Sequence, residues 1–449
     1  MRQKAVERFT PRFRGLIVTI MDQLILGQTL EAKGNPFLDG PGAMAHRTNG
    51  AVLVRDRRIA AVGEADELRT AHPGAGITDF GSGLILPGFV DAHVHYHQTG
   101  IIASWGKRLI DWLNTYTFPE EMRFADADVA RDVAGQYLDL VLGHGTTTVA
   151  SFCTIHPASV DAIFEAAETR GMAVVAGKTC MDRTAPEGLT DTAQSAYDDS
   201  KVLIDRWHGT ERATYAITPR FSPTSTPEQL AVLGALWAEH PTCLMQTHLS
   251  EQVDEVAWVR DLYPDARDYL DTYEAAGLLG RGALFGHAIH LTEREIDRLA
   301  EADASLIHCP TSNTFIGSGL FDLSLTASHR VGLATDTGGG SSFSMLRTMA
   351  AAYEVGQLRG RPAHPAELLW LATTGSARAL GQSDQIGRLS ECCFADLVVL
   401  DLASTPAVAQ RHARAGDIWE AVFPTIMMGD DRAIEAVYLA GEKWGGPVA

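Results

Sequence analysis

Only six of the 449 residues are cysteine, and no two of them stand in a C-x-x-C pair. Cys392 and Cys393 are adjacent, a poor geometry for a bridge. So sparse a spread in a chain this long argues against a disulfide-stapled design. It fits a reducing, cytoplasmic setting. Basic residues are also scarce, 37 against 56 acidic, for a net charge of −19. A nucleic-acid partner selects a basic face, so that class of partner is disfavoured. No apolar run reaches the roughly 20 residues that cross a bilayer. The start of the chain does place basic residues before a short apolar run. Asp22 ends that run early, and no small-residue cleavage site follows closely. Gly15–Ile20 therefore reads as a first strand and not as a leader. No internal repeat or low-complexity tract is evident.

What is present is a change of texture along the chain. The beginning and the end hold short β-type runs: Gly15–Ile20, Gly50–Val54 and Arg58–Val62, then Ala395–Leu402 and Ile434–Leu439. Ala32–Asn49 reads as a Gly/Pro-rich loop. In the middle, eight apolar strand candidates alternate with amphipathic stretches. The strands are Leu84–His95, Thr146–Phe152, Ala173–Cys180, Thr214–Phe221, Cys243–Leu249, Ala283–His290, Ser305–Cys309 and Val331–Asp336. The helical stretches include Asp126–Leu142, Val160–Arg170, Pro227–Glu239 and Glu293–Ala302. This alternation predicts a parallel sheet, and eight units predict a closed (β/α)8 TIM barrel. The rival is an open doubly wound sheet, but no G-x-G-x-x-G follows the first barrel strand. Expected units are residues 1–85 and 386–449, together a small β-sandwich from both chain ends, and the barrel at 86–385. Linkers are expected near Gly81–Leu86 and Gly381–Gly387.

The chemistry-bearing residues collect where these strands end, the barrel face on which catalytic groups converge. The first strand ends in Asp91-Ala92-His93-Val94-His95. Alternation puts His93 and His95 on one face, able to reach one ion. His248 ends the fifth strand, His287 the sixth and Asp336 the eighth. Each has a bland alternative: a satisfied core histidine for His248, or a turn-shaping aspartate before Gly338. Their shared position makes coincidence the weaker reading. Imidazole and carboxylate ligands suit zinc or ferrous iron. Glu251, three residues after His248, stands where a carboxylate can move protons; its alternative is a helix cap. The fourth strand ends in Pro219-Arg220-Phe221. It lacks the lysine that bridges two metals in barrels of this kind, and arginine stays protonated. One ion per chain is expected. Lys178 on the third strand is the residue that would change this if the strands were miscounted.

Longer strings carry a resemblance. Pro87–His95 (PGFVDAHVH), His248–Glu251, His287 and Thr335-Asp336 resemble the amidohydrolase superfamily. Trp112–Pro119 (WLNTYTFP), Gly177–Asp182 (GKTCMD), Thr218–Ser222 (TPRFS), His308–Asn313 (HCPTSN) and Thr335–Gly340 (TDTGGG) are similar to its guanine deaminase branch. The likeness spans about residues 85 to 345. It implies a zinc ion held by His93, His95, His248 and Asp336, with Glu251 as proton shuttle and His287 orienting the attacking water. Asp336 would accept that water's proton. Gln98 and Arg220 would hydrogen-bond a purine, with Phe221 packing against it. The resemblance further implies a small-molecule purine substrate and a homodimer. An arginine fork does suit a ring carbonyl, and an amide suits a mixed donor and acceptor edge. Other readings of the same residues are a deaminase of 8-oxoguanine, a triazine or another aminated heterocycle, a two-metal cyclic amidase, and a non-catalytic relative. The segment Thr99–Arg108 departs from the family pattern and is expected to cover the pocket.

Overall fold

A computed structural model describes residues 22–105 and 108–447. The expected strand Gly15–Ile20 lies outside the described residues. Two sheets organise the chain. The first has seven strands: β1 (Gln23–Ala32), β2 (Met44–Arg55), β3 (Arg58–Glu64) and β4 (Gly76–Pro87) from the beginning, with β14 (Leu397–Leu400), β15 (Ile434–Leu439) and β16 (Glu442–Lys443) from the end. Their order is β16-β15-β14-β4-β1-β2-β3. Side chains of β1 alternate, so its two faces bury different partners. Ile25 joins Val52, Ile85 and Val399 in one apolar cluster, while Leu24 and Leu26 join Ala51 and Leu53 in another. Each such buried leucine, isoleucine or valine contributes about 1.5–3 kcal/mol.

The second sheet is the barrel. Its eight principal strands are β5 (Phe89–His95), β6 (Thr146–Phe152), β7 (Ala173–Gly177), β9 (Ala213–Pro219), β10 (Leu244–Leu249), β11 (Ala283–His287), β12 (Ser305–His308) and β13 (Arg330–Leu333). All pair in parallel in that order, and the short β8 (Thr179–Cys180) extends the edge of β9. Closure comes from the residues beyond β13. Asp336 N donates to His93 O at 3.0 Å, and His95 N donates to Thr337 O at 2.6 Å. The Thr335 amide and hydroxyl both donate to the Asp91 carboxylate, at 3.0 and 2.5 Å. The last strand is thus tied to the first beneath the metal-type cluster.

Three expectations need correction. Leu84–His95 is not one strand. Gly88 divides it into β4, which belongs to the first sheet, and β5, which opens the barrel. A Cβ at Gly88 would meet Thr147 Oγ1 at 2.2 Å, so only glycine passes this junction. Gly81–Leu86 is accordingly no linker; it lies inside β4. Ala32–Asn49 is a loop only in its middle, because β2 begins at Met44 and a short helix spans Pro36–Asp39. At the junction the end of β4 (Leu84–Pro87) and all of β5 are buried, so no polar alternation marks the boundary between them. Among the described residues, no helix is long and apolar enough to cross a membrane.

Candidate active site

The C-terminal ends of the barrel strands bring four candidate ligands together. His95 Nε2 lies 3.2 Å from His248 Nε2. Asp336 Oδ1 is 3.6 Å from His93 Nε2 and 3.5 Å from His95 Nε2. All four side chains are buried. Burial, reinforced by the neighbouring imidazoles, pushes His93, His95 and His248 well below the ordinary histidine range, so they are neutral. A neutral imidazole can offer a lone pair. His248 Nδ1 sits 2.7 Å from the Arg220 carbonyl. That oxygen can only accept, so Nδ1 carries the proton and Nε2 turns its lone pair to the cluster. His93 Nε2 is buried with no hydrogen-bond partner. Lone pairs crowding a carboxylate, with an orphaned buried nitrogen among them, is a donor set that fits a divalent cation. Gly286 makes room for the His93 ring, since a Cβ there would meet His93 Cε1 at 2.6 Å. Cys309 Sγ also lies near His93, His287 and Asp336. That thiol is already engaged, donating to Ile307 O at 3.6 Å, and burial raises its pKa well above the ordinary range.

Glu251 and His287 stand beside the cluster. His287 Nε2 is 3.6 Å from Glu251 Oε2 and 3.8 Å from Asp336 Oδ2. Its Nδ1 donates to Asn313 Oδ1 at 2.8 Å, which fixes the ring. Backbone φ values of +67° at His287 and +50° at Asp336 turn both side chains inward at the strand ends. Burial pushes the Glu251 carboxyl up to about 7, against a hydrogen bond from Ser318 and the charge of Arg220. A carboxyl poised there can carry a proton at neutral pH. The alternative reading of Glu251 as a helix cap fails. Glu255 does that work, its Oε2 accepting from the amides of Glu251 and Gln252 at 2.8 and 3.0 Å.

Above these groups opens a cleft lined by Gln98, Arg220 and Phe221 as well as by His95, His248, Glu251, His287 and Asp336. Leu109, Trp112, Leu113 and Thr117 form its outer wall. None of the described residues of Thr99–Arg108 lines the cleft; its wall comes instead from the next segment, which includes part of the string Trp112–Pro119. Lys178 is elsewhere. Its ammonium pairs with Asp191, both side chains are buried, and it is not among the residues lining the cleft. A bridging role between two metals therefore gains no support.

One residue of the site escaped the sequence reading. Glu121 is fully buried and accepts from Arg220 Nη1 at 2.8 and 2.7 Å, one bond to each oxygen. His97 Nε2 and Gln98 Nε2 also reach its Oε1, at 2.9 and 3.2 Å. Burial opposes its ionisation, but the charges of Arg220 and His97 and their hydrogen bonds hold its pKa at about 2. In sequence Glu121 is one of two adjacent acids in the first turn of the helix Phe118–Met122. Nothing in the spacing separates it from Glu120, which pairs with Arg123.

The closed barrel, the extra sheet from both chain ends and the cluster at the strand ends define a class. Residues 84–443 match the amidohydrolase family, and residues 50–75 match a bacterial imidazolonepropionase-like composite domain. The chain belongs to the amidohydrolase family. Within that family it falls among the guanine deaminases. It is 43% identical to guanine deaminase of Escherichia coli over 396 residues, 88% of this chain and 90% of that one. The solved structure of E. coli guanine deaminase superposes with a TM-score of 0.92, covering 94% of this chain and 99% of the other. A guanine deaminase from C. acetobutylicum, solved with guanine bound in its active site, is 28% identical and superposes at 0.86 over 94% of this chain and 99% of its own.

Proposed function

We propose that this protein hydrolyses guanine to xanthine and ammonia, as a metal-dependent step of purine breakdown. The observation that carries the reading is the seating of Arg220 and Gln98 on the cleft that the ligands His95, His248 and Asp336 also line, with His93 beside them. Those four would hold one zinc ion, and ferrous iron suits the same donors. The ion, when bound, supplies Lewis acidity and activates water near neutral pH. Asp336 accepts the proton of the attacking water while His287, between Asp336 and Glu251, orients it. Water adds to the ring carbon that bears the amine. Glu251 protonates the adjacent ring nitrogen, and a second proton transfer lets the amine leave as ammonia. Arg220 and Gln98 hold the purine edge, and Phe221 packs against the ring. The barrel unit, expected over residues 86–385, contains all of these groups. A cytoplasmic homodimer acting on the free base is part of the same reading, supported by the family resemblance and the acidic charge.

Ammonia release from guanine, 8-oxoguanine, adenine, cytosine and melamine tests the substrate. Guanine is expected to react fastest; activity on another base with none on guanine would overturn the proposal. Glu251→Gln should keep its metal yet lose roughly 100- to 10,000-fold in turnover. Near-normal turnover in that variant would remove Glu251 from the mechanism.

A further inference from the structure

The Glu121 carboxylate lies at the back of the cleft, saturated by Arg220, His97 and Gln98. A carboxylate at this pKa is acceptor-only. Whatever faces it must donate. The Gln98 amide therefore turns its nitrogen to Glu121, and its oxygen is left to accept. Rotating the amide would set oxygen against oxygen, so the ambiguity of a free glutamine is removed. Gly338 packs so close that a Cβ there would meet Gln98 Cβ at 2.8 Å, which further confines the side chain. On Arg220, both hydrogen bonds to Glu121 use one nitrogen, Nη1. No described hydrogen bond uses Nε or Nη2, and neither is among the buried unpartnered atoms. With the side chain lining the cleft, these nitrogens are left to donate to a ligand.

We infer that Glu121 is a positioning residue that sets the polarity of the recognition edge: one acceptor from Gln98 beside donors from Arg220. This pattern complements a lactam, in which a ring N–H stands next to a carbonyl. It mismatches a ring nitrogen without a hydrogen, such as purines lacking the carbonyl present. The carboxylate also neutralises the buried guanidinium, so the cleft attracts a neutral ring and not a free anion. The inference rests on the guanine reading above and extends it to a selection mechanism.

The test is steady-state kinetics on guanine and on 2-aminopurine, which keeps the reacting amine but has no lactam. Wild-type conversion of guanine establishes the underlying reading; a wild type inactive on guanine defeats that reading before any variant is measured. In Glu121→Gln, KM for guanine should rise about 10- to 100-fold, the range for losing a hydrogen bond to a charged group. Turnover at saturation should stay within about threefold and KM for 2-aminopurine should hardly change, as expected for loss of binding shared by ground and transition states. Glu121→Asp keeps the acceptor-only group and should restore part of the discrimination. A parallel loss on both substrates, or an unchanged guanine KM, would overturn the inference. So would failure of both variants to fold, which would make Glu121 a structural residue.

Discussion

Strand β9 (Ala213–Pro219) is bracketed by two arginines with buried side chains, Arg212 before it and Arg220 after it. Each is paired with a buried carboxylate, and they do opposite things. Arg212 binds Asp396 with two nitrogens and donates to Gly171 O at 2.8 Å. Asp396 also accepts the Ala440 amide at 2.8 Å, and the Phe394 ring lies 4.3 Å from the guanidinium. This end therefore fastens the barrel to the sheet made from the chain ends. At the other end Glu121 engages a single nitrogen of Arg220 and leaves the rest for the cleft. The lesson is that a buried ion pair does not reveal its role by its chemistry. What decides is where the unused donors lie: Arg212 Nε is buried without a partner, whereas the unused nitrogens of Arg220 belong to a side chain that lines the cleft.

Breaking the pair at the closed end should have the larger effect on stability. Asp396→Asn leaves a buried guanidinium without its counter-charge and should cost about 3–5 kcal/mol. The denaturation midpoint should fall while kcat/KM of the folded enzyme on guanine stays near wild type. A matching fall in kcat/KM would erase the distinction between the two ends. Glu121→Gln, at the open end, is expected to show itself first in KM. A smaller effect sharpens the same contrast through pH. Because the Glu121 carboxyl is held down at about 2, its folded-state pKa lies below the ordinary value. Its contribution to stability is fully present above the usual glutamate range, near 4.3, and is lost as pH falls toward 2. Unfolding free energies measured at pH 5 and pH 3 should therefore converge between wild type and Glu121→Gln at the lower pH. A constant gap between them would contradict the assignment of that shift to Glu121.

The sequence was most readable where the physics is local. Alternation along one strand puts His93 and His95 on one face, and the ends of the strand candidates pointed to His248, His287 and Asp336. The structure brings all five to one mouth. Gln98, Arg220 and Phe221 came from resemblance, and all three line the cleft. Two things were hidden. The break at Gly88 lies in a continuously apolar run, because strands on both sides of it are buried. Glu121 was invisible because its meaning depends on Arg220, 99 residues away, and a carboxylate in a helix's first turn has an ordinary local explanation. Its burial and its three donors exist only after the barrel has closed.

The central claim is that one ion held by His93, His95, His248 and Asp336 serves the hydrolysis of guanine. The most direct test is to strip the protein of metal and titrate zinc back while following xanthine formation. Activity is expected to be absent at the start and to rise to a plateau at about one equivalent per chain. Full activity in the metal-free protein, a plateau only at about two equivalents, or no xanthine at any loading would contradict the claim.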